Sequence, residues 1–461
     1  MSAFNSLLFI LLSTFAMSYA WGMRGTTIGG EKGAMLPGAV MGLLIAMFSG
    51  NYLLFDNFFF LSALGSTGMY YGGCMTYGET LGLSMNSKPA LNMKKGLIAL
   101  FVKGFLWFAV FAQVLSLGLA SLTGKYFSVR EVIIMFLLMP VVMITFLFIF
   151  NRPHNTEKSV FPKIYFSITR KESWGALLGL FFELLLISII KKIPFAVEYT
   201  FICGLFGAVG WVVAQLMQIF CRQYSKDCRG SFLKLWSKPS IGAWKVMECI
   251  LGAFGGLGAS VGIVMFFDKF VELTAQPVNR FWTPLGDKDR LFVYAYIAIL
   301  AIDMIHYFSK SKKLQIAAEI LEFPFYSTIP MLLVFFGSKD IAQISSFFIL
   351  YWVFVQEVSF EKPHKLKYSA VFKILFTAIG IIILTAQLLF NYLFGLRITV
   401  LLYGVFYEVF TLAYLLPRYD KASAEKYNNS FMNYLFKTEI GTVHIYFIVC
   451  VLVFTLYVFL Y

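Results

Sequence analysis

Apolar residues fill this chain in long runs, separated by short polar connections from one end to the other. The runs fall at 4–21, 33–50, 57–78, 97–122, 131–150, 174–191, 198–220, 243–267, 291–308, 314–337, 341–357, 368–390, 397–416 and 443–461. A helix needs about 20 mostly apolar residues to cross the hydrocarbon of a bilayer, and these runs have that length. In lipid only helices and closed barrels satisfy all their backbone groups. The alternation that marks barrel strands, over segments of about ten residues, is absent from the chain. The pattern therefore predicts an all-α, polytopic transmembrane helix bundle with about 13–14 spans. Residues 1–461 form a single integral membrane domain, with a division into halves 1–240 and 241–461 as the alternative.

The first run lacks the Lys or Arg that precedes the apolar core of a secretory signal. Ser18-Tyr19-Ala20 has only a faint look of a cleavage site, so the run is expected to be the first membrane helix.

Charge sharpens the threading. Only 13% of residues are charged and 59% are hydrophobic, against about 25% charged in a soluble domain. The net charge is +14. Its distribution excludes a nucleic-acid surface, because Lys and Arg gather in alternate loops. Connections after odd-numbered runs, with the lysines just inside the adjoining helix ends, hold about 28 basic residues against about 10 on the other side. The heavy side includes Lys88, Lys94, Lys95, Lys103, Arg152, Lys163, Arg222 and Lys245; the light side includes Lys125, Lys191, Lys192 and Lys269. Such asymmetry fixes orientation with the basic loops inside. It predicts a bacterial cytoplasmic (inner) membrane, both termini outside, and basic loops lying against anionic lipid.

Residues 33–78 align without gaps on 175–220. Gly33 matches Gly175, Leu43 matches Leu185, Gly65 matches Gly207, Gly68 matches Gly210, and Asp56 meets Glu198. The shift spans an even number of helices, so this internal repeat would be parallel, as in some transporters. An old duplication without functional meaning explains it equally well.

Two segments carry most of the candidate chemistry. The stretch from Trp21 to Gly33 is rich in glycine and holds Arg24, Thr26, Thr27, Glu31 and Lys32. Exposed backbone N–H groups beside Arg suit an anionic or polyhydroxy group. A P-loop is excluded because Gly-Lys-Ser/Thr is missing. The stretch from Tyr70 to Thr80 holds Tyr77 and Glu79 and falls on the same side. Trp21, Arg24, Thr26, Thr27, Glu31, Lys32, Tyr77 and Glu79 are the substrate-binding candidates. The bland alternatives are a tight connection braced by Arg24–Glu31 and an interfacial aromatic belt.

Ionisable groups within spans are costly, about 2.5–3.5 kcal/mol at a helix centre on insertion scales, and default to function. Glu183 and Glu408 lie inside their runs. Asp303 and His306 share one helix face, as do Glu319 and Glu322, which precede Pro324 and Pro330. These six are the coupling or proton-relay candidates. Helix-joining polar contacts are the plain alternative, and for Glu319 and Glu322 so is an amphipathic interfacial helix. No catalytic residue, metal set or cofactor motif stands out. Cys221 and Cys228 lack zinc-site spacing and a nearby histidine.

Three functions fit. One is a secondary transporter or flippase for a polar or anionic solute, sugar-like or lipid-linked. A second is an envelope glycosyl- or acyltransferase or polymerase using a lipid-linked donor. The third is a non-catalytic membrane scaffold subunit. The expected partners are membrane lipid and a small-molecule or lipid-linked substrate.

Overall fold

The computed structural model describes residues 3–26, 34–51, 54, 58–73, 78–85, 90–122, 125–154, 160–166, 172–225 and 242–274. Within them every regular element is a helix. In chain order these are α1 Ala3–Thr26, α2 Met35–Phe48, α3 Phe58–Gly73, α4 Gly78–Met85, α5 Ala90–Leu122, α6 Val129–Phe150, α7 Trp174–Ile190, α8 Ala196–Ile219, α9 Ala243–Met265 and α10 Phe267–Thr274. The first eight apolar runs thus emerge as α1, α2, α3, α5, α6, α7, α8 and α9. The runs from residue 291 onward lie outside the described residues.

Among the described residues four stretches are long and apolar enough to cross a membrane: Asn5–Gly22, Asn92–Ser121, Ala196–Tyr224 and Ala243–Met265. Met35–Phe48, Leu138–Phe150 and Trp174–Ile190 are shorter apolar helices. The protein is a multi-pass helical membrane protein.

The helix α5 is the axis of the bundle. It is apolar all round, and a helix of that kind must be enclosed; every residue from Leu106 to Ser121 is buried. It packs against α3, α7 and α8. The helix α8 carries α9, which in turn carries α1; α1 also reaches α2, and α6 stands outermost on α7. Glycines allow the close crossings. A Cβ on Gly38 would collide with the backbone of Gly65, and one on Gly42 with that of Leu61. The α1–α9 crossing is built likewise, with Gly252 and Gly256 against the carbonyls of Met17 and Ser13. Close approach through small residues is how membrane helices gain dispersion contact when hydrophobicity gives no drive.

Several boundaries differ from the hydropathy reading. Past the third run, 57–78, the polar stretch Gly78–Met85 is helical too, as α4. The fourth begins seven residues earlier than its apolar part, so Lys94 and Lys95 lie on the helix α5. The final run of this part also ends early, at Met265, where α10 begins. Phe270, Leu273 and Thr274 of α10 face inward, while Asp268, Lys269 and Glu272 are exposed. That is the division expected of a helix lying at an interface.

The proposed repeat carries unlike packing. The hairpin α2–α3 is joined along its length through Gly38, Gly42 and Gly65. Its counterpart, α7–α8, is split by α5. Gly207, aligned with Gly65, sits instead against Gly104 and Phe108 of α5.

Candidate functional site

Side-chain bonds between connections sort into two sets. At one end the connections after α3, α6 and α8 meet: Lys103 reaches Thr80 and Glu172, and Gln223 donates to the carbonyl of Met85 at 2.8 Å. At the other end Lys191 pairs with Glu131, Lys269 pairs with Glu198, and Asn51 donates to the carbonyl of Thr274 at 3.0 Å. None of these bonds mixes the two sets, as alternate crossing requires. The first set joins the connections that are rich in Lys and Arg and forms the basic end of the bundle.

The basic end is closed by a buried lock. Lys103 Nζ donates to Thr80 Oγ1 at 2.8 Å and to Glu172 Oε1 at 2.7 Å. Lys103 and Glu172 have 1% and 0% of their side chains exposed. The second carboxylate oxygen of Glu172 accepts from the amide of Phe166, whose ring lies 5.5 Å from Nζ. Arg152 Nη1 donates to the carbonyls of Glu172, at 2.7 Å, and Asn151, at 3.1 Å. Asn151 Oδ1 then accepts from the amide of Gly175, at 2.7 Å, in the first turn of α7. That bond satisfies a helix-start N–H that has no partner within the helix. Each charge of the pair has found hydrogen-bond partners, the condition for tolerating it out of water.

By its place near the start of an apolar run, Lys103 is expected among the interfacial lysines. The structure corrects this: it is an internal charge, seven residues into the apolar run. The rule that singled out Glu183, a charge within a span, applied equally to Lys103. Glu172 gave a weaker signal, a lone acid beside Arg170 and Lys171.

Behind the lock lies a tryptophan cluster. Trp21, Trp107 and Trp211 come from α1, α5 and α8, and all are fully buried. The rings of Trp21 and Trp107 meet edge-on with centroids 5.2 Å apart, and Trp107 lies 6.1 Å from Trp211. Trp107 Nε1 donates to the carbonyl of Met69 at 2.9 Å. Each indole occupies the place of a missing Cβ: Trp107 at Gly72, Trp211 at Gly104 and Trp21 at Gly252. The helices leading into both glycine-rich segments, α1 and α3, therefore converge on one indole.

Of the substrate-binding candidates, Trp21 is internal, packed on Trp107 rather than open to solvent. Arg24 and Thr26 lie on the last turns of α1 and Glu79 on the first turn of α4, as backbone positions. Thr27, Glu31, Lys32 and Tyr77 lie outside the described residues, as do Asp303, His306, Glu319, Glu322 and Glu408 among the coupling candidates.

Glu183 is described in full. It lies midway along α7, on the face where Gly179 meets Phe146 and Val142 of α6. Its two carboxylate oxygens are shut off from solvent, and neither has a hydrogen-bond partner among the described residues. Nearby on α5, the fully buried Gln113 donates from Nε2 to the carbonyl of Phe181 at 3.0 Å, while its Oε1 has no described partner. A third internal polar group stands on α8. Gln215 Nε2 donates to Ser84 Oγ at 2.6 Å and to the carbonyl of Leu81 at 3.2 Å. Gln218, one turn on and fully buried, has neither amide atom bonded among the described residues. After it the helix widens into a π turn, Phe220–Tyr224, a local form frequent at functional positions. The glutamines carry no charge, so neither the hydropathy nor the charge pattern of the sequence marks them.

At the opposite end Glu131 forms a capping box with Ser128 and pairs with Lys191. The Lys191 ammonium, with the Ser128 amide, holds its carboxyl down to about 2 from the ordinary 4.5. Among the described residues no group of His, Cys, Asp and Glu is arranged to hold a metal ion.

A scan against protein-family models finds no match to the chain, and searches of the curated proteins and of the solved structures find none either.

Proposed function

We propose that this protein is a secondary transporter or flippase for a polar or anionic solute, and that Glu183 is one of its coupling groups. The observation that carries this reading is the Glu183 carboxylate, dry and without a described donor inside a membrane helix. Such a group is expensive to hold in lipid, whereas the buried Glu172 carboxylate is bonded at both oxygens. A carboxyl left open has the chemistry to take up and release a proton or a small cation. Under the same reading the basic end faces the cytoplasm of a bacterial inner membrane. Arg24, Thr26, Thr27, Glu31, Lys32, Tyr77 and Glu79 would then meet substrate at the mouth beside the tryptophan cluster. Asp303, His306, Glu319, Glu322 and Glu408 would complete the coupling path.

The test is reconstitution into liposomes that enclose a pH-reporting dye, offered in turn sugars, sugar phosphates and a fluorescent lipid-linked sugar. Wild type is expected to admit protons with one of these solutes, and Glu183→Gln to lose that proton entry while still binding the solute. Solute-coupled proton entry that persists undiminished in Glu183→Gln removes the residue from the mechanism.

The satisfied Lys103–Glu172 pair favours a second reading, a scaffold subunit whose buried charges only join helices. Wild-type assembly and the absence of solute movement in every charge-neutral variant would support it. The envelope transferase has no comparable observation in its favour; turnover of a lipid-linked donor without net transport would be its mark.

A further inference from the structure

We propose that the start of α5 holds an anionic phospholipid, its headgroup at Lys94 and Lys95 and an acyl chain along Ile98, Phe101 and Val102. The helix α5 has 33 residues, about 50 Å of helix against about 30 Å of hydrocarbon. Its first turns must therefore stand in the headgroup layer, and Lys94 and Lys95 are there. Thr80, Glu172 and Gln215 bond with neighbours close by, and so fix this as the basic end.

Exposure then picks out a stripe. Along α5 the exposed residues are Lys94, Lys95, Ile98, Phe101 and Val102, after which the helix sinks wholly into the bundle or nearly so. Ile98 is 54% exposed, Phe101 40% and Val102 37%. These positions recur at helical spacing and so lie on one face. The face reads cation, cation, then hydrocarbon, going from the membrane surface inward. A phospholipid of negative charge has the matching order, anion then acyl chain.

The lysines have no competing explanation within the described residues. Neither is ion-paired there, whereas Lys103, on the opposite face of the same helix, has its carboxylate. The first turn of α5 contains no acidic residue. An anion from outside the chain supplies the partner that the described residues do not.

The experiment uses the full chain with Phe101→Trp as reporter, reconstituted in phosphatidylcholine vesicles containing increasing dibrominated phosphatidylglycerol. The reporter's emission is the difference from the same chain without it. Quenching is expected to show preference for brominated phosphatidylglycerol over brominated phosphatidylcholine. Lys94→Gln/Lys95→Gln should remove most of that preference, each lysine at the surface being worth roughly fivefold in association. Lys125→Gln, at the other end, should leave it unchanged. Equal quenching by the two lipids, in wild type and the double variant alike, overturns the proposal. So does an absence of quenching by either lipid, which would assign the face to another segment of the chain. Relief of quenching by inorganic phosphate, without loss of acyl contact in brominated phosphatidylcholine, would make it a site for free anions and overturn it as well. Wild-type elution of both variants as monodisperse protein guards against misfolding. None of these outcomes bears on Glu183, so the two proposals fail separately.

Discussion

The two ends of the bundle solve the same problem with the same residue types and with opposite economies. Lys103–Glu172 at the basic end is dry, with additional bonds from Thr80 and the Phe166 amide. Lys191–Glu131 and Lys269–Glu198 at the other end are partly open to solvent, with side chains between 29% and 49% exposed. In water the attraction between such charges is screened and side-chain entropy opposes it, so an exposed pair is worth about 0–1 kcal/mol. In a dry site the pair is no bargain in itself, but either member alone is ruinous. The difference separates contacts that position loops loosely from one that ties α4, α5 and the α6–α7 connection into a single unit.

The comparison breaks most visibly at Lys103. Lys103→Met should destabilise the protein by about 3–5 kcal/mol, because Glu172 is left charged and unpaired in a dry place. The double variant Lys103→Met/Glu172→Met should recover a large part of that loss, leaving the Phe166 amide and Thr80 as the residual cost. Unfolding in mixed detergent–SDS micelles measures both. If Lys103→Met unfolds with wild type, water must reach the lock and the contrast between the ends disappears.

This contrast was only half legible in the sequence. Apolar runs revealed eight helices and their alternate crossing, because lipid tolerates little else. Boundaries failed where amphipathic turns continue a helix past its apolar part, as at Lys94–Lys95, or where a polar tail forms a helix of its own, as at Gly78–Met85. The lock was hidden because a lysine a few residues inside a run can either reach back to the surface or pair internally. The choice depends on Glu172, sixty-nine positions away. Trp21 was legible as notable chemistry, but its enclosure depends on Trp107 and Gly252, which no local pattern announces.

The internal repeat teaches the same point from a second pair of regions. Gly65 and Gly207 align in sequence, yet one meets its own hairpin partner and the other meets α5. Gly65→Val should cost roughly 1–3 kcal/mol or more, since its added carbons collide with the Gly38 backbone, which cannot yield as a side chain does. Gly207→Ala should be milder, because the Phe108 ring can turn away in part, although the Gly104 carbonyl is close as well. Equal effects of matched Ala substitutions at the two positions, measured in the same micellar unfolding assay, would restore the repeat as a packing unit.

The smallest effect belongs to the exposed pair, and pH gives it a sign. Glu131 has its carboxyl held at about 2 in the folded protein, below the ordinary 4.5, chiefly by the hydrogen bond from Lys191. A carboxyl lowered on folding adds stability above its unfolded value and loses it as pH falls through the folded one. The wild type should therefore exceed Lys191→Met in stability near neutral pH, by no more than about 1 kcal/mol given the exposure of both side chains. The advantage should shrink as pH falls from about 4.5 towards about 2. Raising salt at neutral pH should shrink it as well, since solvent-exposed charges are screened, whereas the effect of Lys103→Met should hardly respond. A Lys191→Met effect as large and as salt-insensitive as that of Lys103→Met would mean the Glu131 end is as dry as the lock, and burial would no longer distinguish the two.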